Sequence, residues 1–506
     1  MSMSLARLNA AIGRINDVLC AASVLVWDSR TMLPRGGGAA RAEQLATLSL
    51  LARDLLLSDK TRQALDGARR EVEIYSDDDP WRRAVHKVEE AIALHRRIPA
   101  DLIERKTKAR ALGTLIWIEA RANDDFASFA PALAEIVAVT RDYADAAGWS
   151  GHPYDALIGL YEPGTTFADI SALLAELKLG IRPILDVALG RKRPARDFLN
   201  HPFPEEKVKA AARLLTEVLG YDYEHGRLDK TVHPFAISFT RADVRITMRL
   251  GERSFANSLF GAMHETGHGL YEQNVDPAFT RTPLTTDLVG LHAGGGASLG
   301  THESQSRLQE NHVGRSGDFW LAHFAAVKQA LGGLDGIDAD AFQHAVNDVS
   351  PGLIRTEADE LTYDFHIMLR VELEAALLTG NLKVSDIPGA WREAMQRQLG
   401  VMVPNDREGC LQDVHWASGS MGSFCTYTIG NVMAAQLFEI AKQKDESVAT
   451  ALAKGETAPL RLWLKENVWR HGKRFSRDEL LERATGRALE AGPYLRYLNV
   501  KYGKAA

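Results

Sequence analysis

The sequence predicts a mainly α fold interrupted by one short stretch of sheet. Apolar residues recur at three- and four-residue steps along most of the chain, whereas only one segment alternates with a period of two. The composition agrees: of 506 residues, 45% are hydrophobic and 25% charged, which suits a folded globule and excludes disorder and collagen-like repeats.

Along residues 85–94, Val85, Val88, Ala91 and Ile92 fall on one helical face, with His86, Lys87, Glu89 and Glu90 between them. Phe167, Ile170, Leu174, Leu177 and Ile181 repeat the pattern, as do Val208, Ala211, Ala212, Leu215, Val218 and Leu219. Between residues 243 and 250, Val244, Ile246, Met248 and Leu250 alternate with Arg245, Thr247 and Arg249, and this is the predicted strand. Breaks such as Gly36-Gly37-Gly38 and Gly294-Gly295-Gly296 are too short to be flexible linkers, so residues 1–506 read as a single domain of lobes sharing one helical body.

Sixty basic against 66 acidic side chains give a net charge of −6 and no basic run, which argues against nucleic-acid and anionic-membrane partners. Cys20, Cys410 and Cys425 show no CxxC spacing, so neither a disulfide framework nor a thiolate metal site is indicated. The N-terminus lacks the basic-then-apolar order of a secretory signal, and no stretch approaches ~18 uninterrupted apolar residues. The expectation is a cytoplasmic protein that does not cross a membrane.

Chemistry concentrates in His264-Glu265-Thr266-Gly267-His268, on a helix expected over about 253–273. Two histidines four residues apart share a helical face, where both imidazoles reach one Zn²⁺ and Glu265 stands beside it to take a proton from an acidified water. Gly267 and Gly269 weaken a helix, which implies a close neighbour or a packed metal site. A third ligand is required, and Thr301-His302-Glu303 offers two candidates that spacing does not separate.

With these residues in hand, the sequence resembles the carboxypeptidase Taq family of zinc metallocarboxypeptidases over nearly its whole length. VLVWDSRTMLPRGGGAARAEQLATL is similar to the family's opening segment, and His233-Pro234-Phe235 and Asp243-Val244-Arg245-Ile246-Thr247 match its HPF and DxRxT motifs. HETGH and HESQSR follow, then Ile354-Arg355-Thr356-Glu357-Ala358-Asp359 as IRxxAD, then residues 409–416 as GxxQDxHW.

The resemblance implies His264, His268 and Glu303 as metal ligands, Glu265 as general base and a homodimeric assembly. It also implies two helical lobes flanking a deep groove, with the strand in a small sheet along its wall. Zn²⁺ is the implied cofactor, although a His₂Glu set also accepts Co²⁺ or Mn²⁺. Arg355 is assigned the substrate's terminal carboxylate, which a guanidinium matches with two parallel hydrogen bonds. The plain structural reading of Arg355 is an ion pair with Asp359 one helical turn on. Gln412, His415 and Tyr427, with His233, are expected to contact peptide, and Tyr427 to serve the oxyanion. Asp243 and Arg245, two apart on a strand, read as a structural ion pair.

Two departures stand out. The family commonly reads GYFPTY where this chain has Gly422-Ser423-Phe424-Cys425-Thr426-Tyr427, and the glycine-rich stretch 284–300 exceeds the family's usual spacer, which suggests an altered or mobile groove wall. The expected reaction is removal of C-terminal residues from peptides with a free carboxylate. The competing readings are an oligopeptidase with internal cleavage and a non-catalytic helical metal-binding scaffold. An intact glutamate in HETGH counts against the scaffold.

Overall fold

A computed structural model of the chain describes residues 3–251 and 254–503, with only the backbone of Arg35. Among the described residues there are twenty α-helices and one three-stranded sheet. The chain divides into two compact units, one of Met1–His95, Arg193–Asp348 and Gly430–Glu490, the other of Arg96–Lys192, Val349–Ile429 and Ala491–Ala506.

The helical periodicity translates directly into burial. Val85, Val88, Ala91 and Ile92 are the buried face of Pro80–Arg97, and Ile170, Leu174, Leu177 and Ile181 that of Phe167–Leu189. Val208, Ala211, Ala212 and Leu215 line the buried side of Glu205–Val218. Each buried Val, Leu or Ile among them contributes about 1.5–3 kcal/mol over its exposed state, and each Ala less.

The first helix, Met3–Thr31, is long and apolar enough by length and composition to cross a bilayer, although charged residues interrupt it. Here Leu5, Leu8, Ile12, Ile15 and Leu19 are built into a hydrophobic core of the first unit, and Asn16 donates to Thr286 Oγ1 and the Ala293 carbonyl. Those two bonds also pin the 284–300 stretch, where Leu284, Leu288, Ala293 and Ala297 are buried and Asp287 bridges His292. The stretch expected to be mobile is therefore tied to the core.

The predicted strand is β3, Asp243–Met248, two residues shorter than expected. It lies between β1 (Gly226–Lys230), which runs parallel to it, and β2 (Ala236–Thr240), which runs antiparallel. Val244, Ile246 and Met248 are fully buried, and Asp243 and Arg245 form the expected ion pair through two 2.9 Å hydrogen bonds. β1 and β2 escape sequence reading because five residues are too few to set up a period of two.

The HETGH helix spans Phe255–Gln273; residue 253 of the expected span lies outside the described residues. Gly267 has the close neighbour its position implied. A Cβ there would come within 2.3 Å of the Gln305 carbonyl oxygen and 2.5 Å of Ser306 Cα, so only glycine lets the helix Leu299–Arg307 pack this tightly. That approach brings Glu303 to the histidines.

In the second unit, the helix Glu360–Thr379 carries Arg370 and Glu374, both fully buried. Glu374 accepts from Trp416 Nε1 at 2.8 Å, from the Gly422 amide at 2.9 Å and from the Tyr154 hydroxyl, so it fixes the start of the segment that departs from the family's pattern. Burial pushes its carboxyl up to about 7, against the pull of those donors.

Candidate metal centre

One turn of helix separates His264 from His268, and the packing at Gly267 sets Glu303 opposite them. Glu303 Oε2 lies 3.6 Å from His264 Nε2 and 3.4 Å from His268 Nε2, and one ligand atom from each residue lies within 4.8 Å of the other two. Ligands held at ~2.0–2.2 Å around a tetrahedral ion are about 3.3–3.6 Å apart, so the three donors fit a single metal. Of the two candidates for third ligand, Glu303 joins the cluster. His302 points its Nδ1 at His268 Nδ1, 2.6 Å away, and its Nε2 at Glu272, 2.8 Å away.

Further residues support the cluster. His264 Nδ1 is 2.9 Å from Glu310 Oε2, and Arg315 Nη2 donates to Glu310 Oε1 at 3.1 Å. Arg307 Nε donates to Glu303 Oε1 at 2.8 Å. The helix runs on from Arg307 into a π-helical turn, Leu308–Val313, a geometry that recurs at functional sites, and Glu310 sits within it.

Burial opposes ionisation of Glu303 and Glu310, but the facing histidines and arginines outweigh it and hold both well below the usual carboxylate range. Glu272 is likewise lowered, since hydrogen bonds from His302 and Ser238 and the charge of Lys473 overcome its burial. Glu265 is the contrary case. It is 6% exposed, its Oε2 has no hydrogen-bond partner among the described residues, and burial pushes it up to about 7. A buried carboxylate oxygen left without a donor is rare in a structural role.

Of the remaining expected site residues, Arg355, Gln412, His415 and Tyr427 belong to the other unit and His233 does not. Arg355 lies in a short 3₁₀ turn, Arg355–Glu357, where a longer helix was expected, and Asp359 instead caps the following helix by accepting from the Leu361 and Thr362 amides. The partner of Arg355 is Asp413, reached by Nε at 3.2 Å and Nη2 at 2.8 Å, while Nη1 donates to the Tyr363 hydroxyl at 3.0 Å. Arg370 Nε donates to the other oxygen of Asp413 at 2.7 Å.

Gln412, expected to contact peptide, has its side-chain amide engaged by several groups of the same unit. Its Oε1 accepts from the Arg355 amide and Arg370 Nη2, and its Nε2 donates to the carbonyls of Leu353, Glu408 and Gly409. It positions the two arginines. His415 Nε2 stands 3.0 Å from the Tyr427 hydroxyl, and burial lowers the imidazole to about 4. His233 is exposed, in the turn leading into β2.

Sequence reasoning missed Glu310, Arg307, Glu272, Arg370 and Asp413. A signal existed for two of them, because Arg307 and Glu310 follow Glu303 by four and seven residues, on the same helical face. Asp413 should matter most for stability, as among the described residues it is the carboxylate paired with both buried guanidiniums. Asp413→Ala is expected to cost about 3–5 kcal/mol, measured as a lowered denaturant midpoint. A loss under about 1 kcal/mol would mean that the arginines are solvated.

A helical body with two histidines and a glutamate around one metal-sized space, and a carboxylate beside them, is the site of a metallopeptidase. The chain matches the carboxypeptidase Taq (M32) metallopeptidase family over residues 7–502 and belongs to it. It is 39% identical over 497 residues to thermostable carboxypeptidase 1 of Thermus thermophilus, covering 95% of this chain and 94% of that one. It is 36% identical over 491 residues to carboxypeptidase 1 of Bacillus subtilis, covering 97% and 96%. The M32 carboxypeptidase of Deinococcus radiodurans superposes with a TM-score of 0.93 at 38% identity, over 99% of each chain. The protein is a metallocarboxypeptidase and its cofactor a divalent metal.

Proposed function

We propose that the metal is zinc, bound by His264, His268 and Glu303, and that Glu265 is the general base of C-terminal peptide hydrolysis. The observation carrying this reading is the mutual placement of three ligand atoms beside a buried carboxylate oxygen with no hydrogen-bond partner among the described residues. When bound, such an ion polarises the scissile carbonyl and acidifies water. Glu265 takes the proton of the attacking water and returns it to the departing amine.

In the second unit, two guanidiniums against one carboxylate leave one surplus positive charge, the sign that attracts a terminal carboxylate. The fork of Arg355 is already engaged by Asp413 and Tyr363, so this reading gives it a shared field instead of a vacant two-pronged clamp. Tyr427, half-buried with its hydroxyl beside His415, is the proton donor suited to a developing oxyanion. We place the enzyme in the cytoplasm as a homodimer. Three free cysteines suit a reducing compartment, and the dimer follows from family resemblance.

The test is mass-spectrometric analysis of a mixed peptide set with zinc supplied. Free-acid peptides should lose residues stepwise from the C-terminus, and the same peptides amidated should be cut at least ten-fold more slowly, the worth of about 1.4 kcal/mol of carboxylate recognition. Internal cleavage of both sets at equal rates would instead favour an oligopeptidase.

A further inference from the structure

We propose that Lys106 and Arg110 form a subsite for the carboxylate side chain of an acidic residue in the peptide substrate. This subsite depends on the reading above that His415 and Tyr427 meet peptide.

Both cations stand on the helix Ala100–Asn123, four residues apart and so on one face. Like charges at that spacing destabilise a helix, and a carboxylate between them removes the cost. Among the described residues none supplies it, since no carboxylate forms an ion pair with Lys106 or Arg110. Acids of this helix and of its neighbour are committed elsewhere, Glu104 to Lys108, and Glu135 and Asp142 both to Arg105.

The surface between the two cations is aromatic and donating. The Lys106 ammonium lies 3.7 Å from the centroid of the Tyr143 ring, on the neighbouring helix Phe126–Ala147. Burial, with Arg110 beside it, pushes the amine down to about 8, so it is still charged at neutral pH. Burial pushes the Tyr143 phenol up to about 12, so that hydroxyl keeps its proton. Tyr161 interacts electrostatically with both Arg110 and Tyr143, and burial raises it in the same way. Two cations and two protonated phenols with no carboxylate paired to them make a site that attracts an anion and repels a cation.

Arg110 joins this site to the loop that carries His415. Gly419 has a left-handed φ of 66°, and a Cβ there would come within 2.8 Å of Arg110 Cγ, so the arginine stem lies across that turn. The next residue, Ser420, donates its amide to the His415 carbonyl at 2.8 Å, and Thr114, one turn beyond Arg110, donates to the Ala417 carbonyl at 3.3 Å. A peptide lying against His415 thus runs beside a turn packed on Arg110, with Lys106 one helical turn further, all within one unit. A substrate side chain and a free inorganic anion share the chemistry this site selects. Continuity with the His415 loop favours the substrate.

Free-acid peptides carrying one Glu, or Gln in its place, at successive positions from the C-terminus measure the subsite on the metal-loaded enzyme. At one position Glu should lower KM about ten-fold relative to Gln with kcat nearly unchanged, the worth of a charge-assisted bond. Combining Lys106→Met with Arg110→Gln should bring the two peptides within about two-fold and leave the Gln peptides unaffected, whereas Lys106→Arg should keep the preference. No position at which Glu is preferred, or a preference that survives the double variant, would overturn the subsite.

A second readout does not need turnover. In metal-loaded Glu265→Gln, acetic anhydride should label Lys106 faster than the exposed Lys108, and the Glu peptide should protect Lys106 while the Gln peptide and inorganic phosphate do not. Protection by phosphate as strong as by the Glu peptide would assign the site to a free anion and overturn the proposal. If this variant hydrolyses peptides at the wild-type rate while the protection pattern is as stated, Glu265 loses its role as base and the subsite stands.

Discussion

Glu265→Gln should bind metal with near wild-type stoichiometry and lose about 10²–10⁴-fold or more in kcat, the weight of a positioned general base. The substitution preserves size and removes only the ability to take a proton. It does so at an oxygen for which the described residues supply no donor. Because Glu265 is not among the three clustered ligands, metal analysis and turnover should separate cleanly. Turnover within ten-fold of wild type in the metal-loaded variant would remove Glu265 from the mechanism.

Glu303→Ala should release the metal on dialysis, with an affinity loss exceeding the 10–100-fold typical of outer partners. The variant deletes a ligand and also removes the Glu303 partner of Arg307, which pairs with Glu310 as well. His302→Ala, by contrast, should keep one metal per chain at saturating concentration, since that ring supports His268 from behind. Metal content after dialysis distinguishes the two. Retention by Glu303→Ala together with loss by His302→Ala would exchange their roles.

How far the sequence reached depends on the range of the interaction concerned. The helices were legible because burial of Val85, Val88, Ala91 and Ile92 repeats with the helical turn itself. His264 and His268 were legible for the same local reason. Glu303 was not, since 35 residues separate it from His268 and spacing across a loop carries no geometry; only resemblance to a family chose it over His302. The physical cause became visible in the contact of Gly267 with the Gln305 backbone, a close approach that the sequence hinted at without naming the neighbour.

Arg355 illustrates the opposite error. Four-residue spacing to Asp359 suggested a helical pair, yet Asp359 is two residues before Leu361 and caps the next helix, a local use of aspartate that competes with helix continuation. The true partner, Asp413, is 58 residues away and lies inside a motif already noted for other members. The internal bonds of Gln412 were likewise not legible, because an isolated glutamine carries no sign of how many backbone carbonyls surround it. β1 and β2 were lost to brevity, and they are recognisable as strands only once β3 pairs with both.

The central claim is that His264, His268 and Glu303 hold one catalytic metal. Anomalous diffraction at the zinc edge, on crystals of the zinc-loaded enzyme, tests it most directly. The predicted result is a single strong peak bonded at about 2.0–2.2 Å to the Nε2 atoms of His264 and His268 and to the Glu303 carboxylate. A peak ligated by His302 in place of Glu303, or one found only away from the HETGH helix, would contradict it.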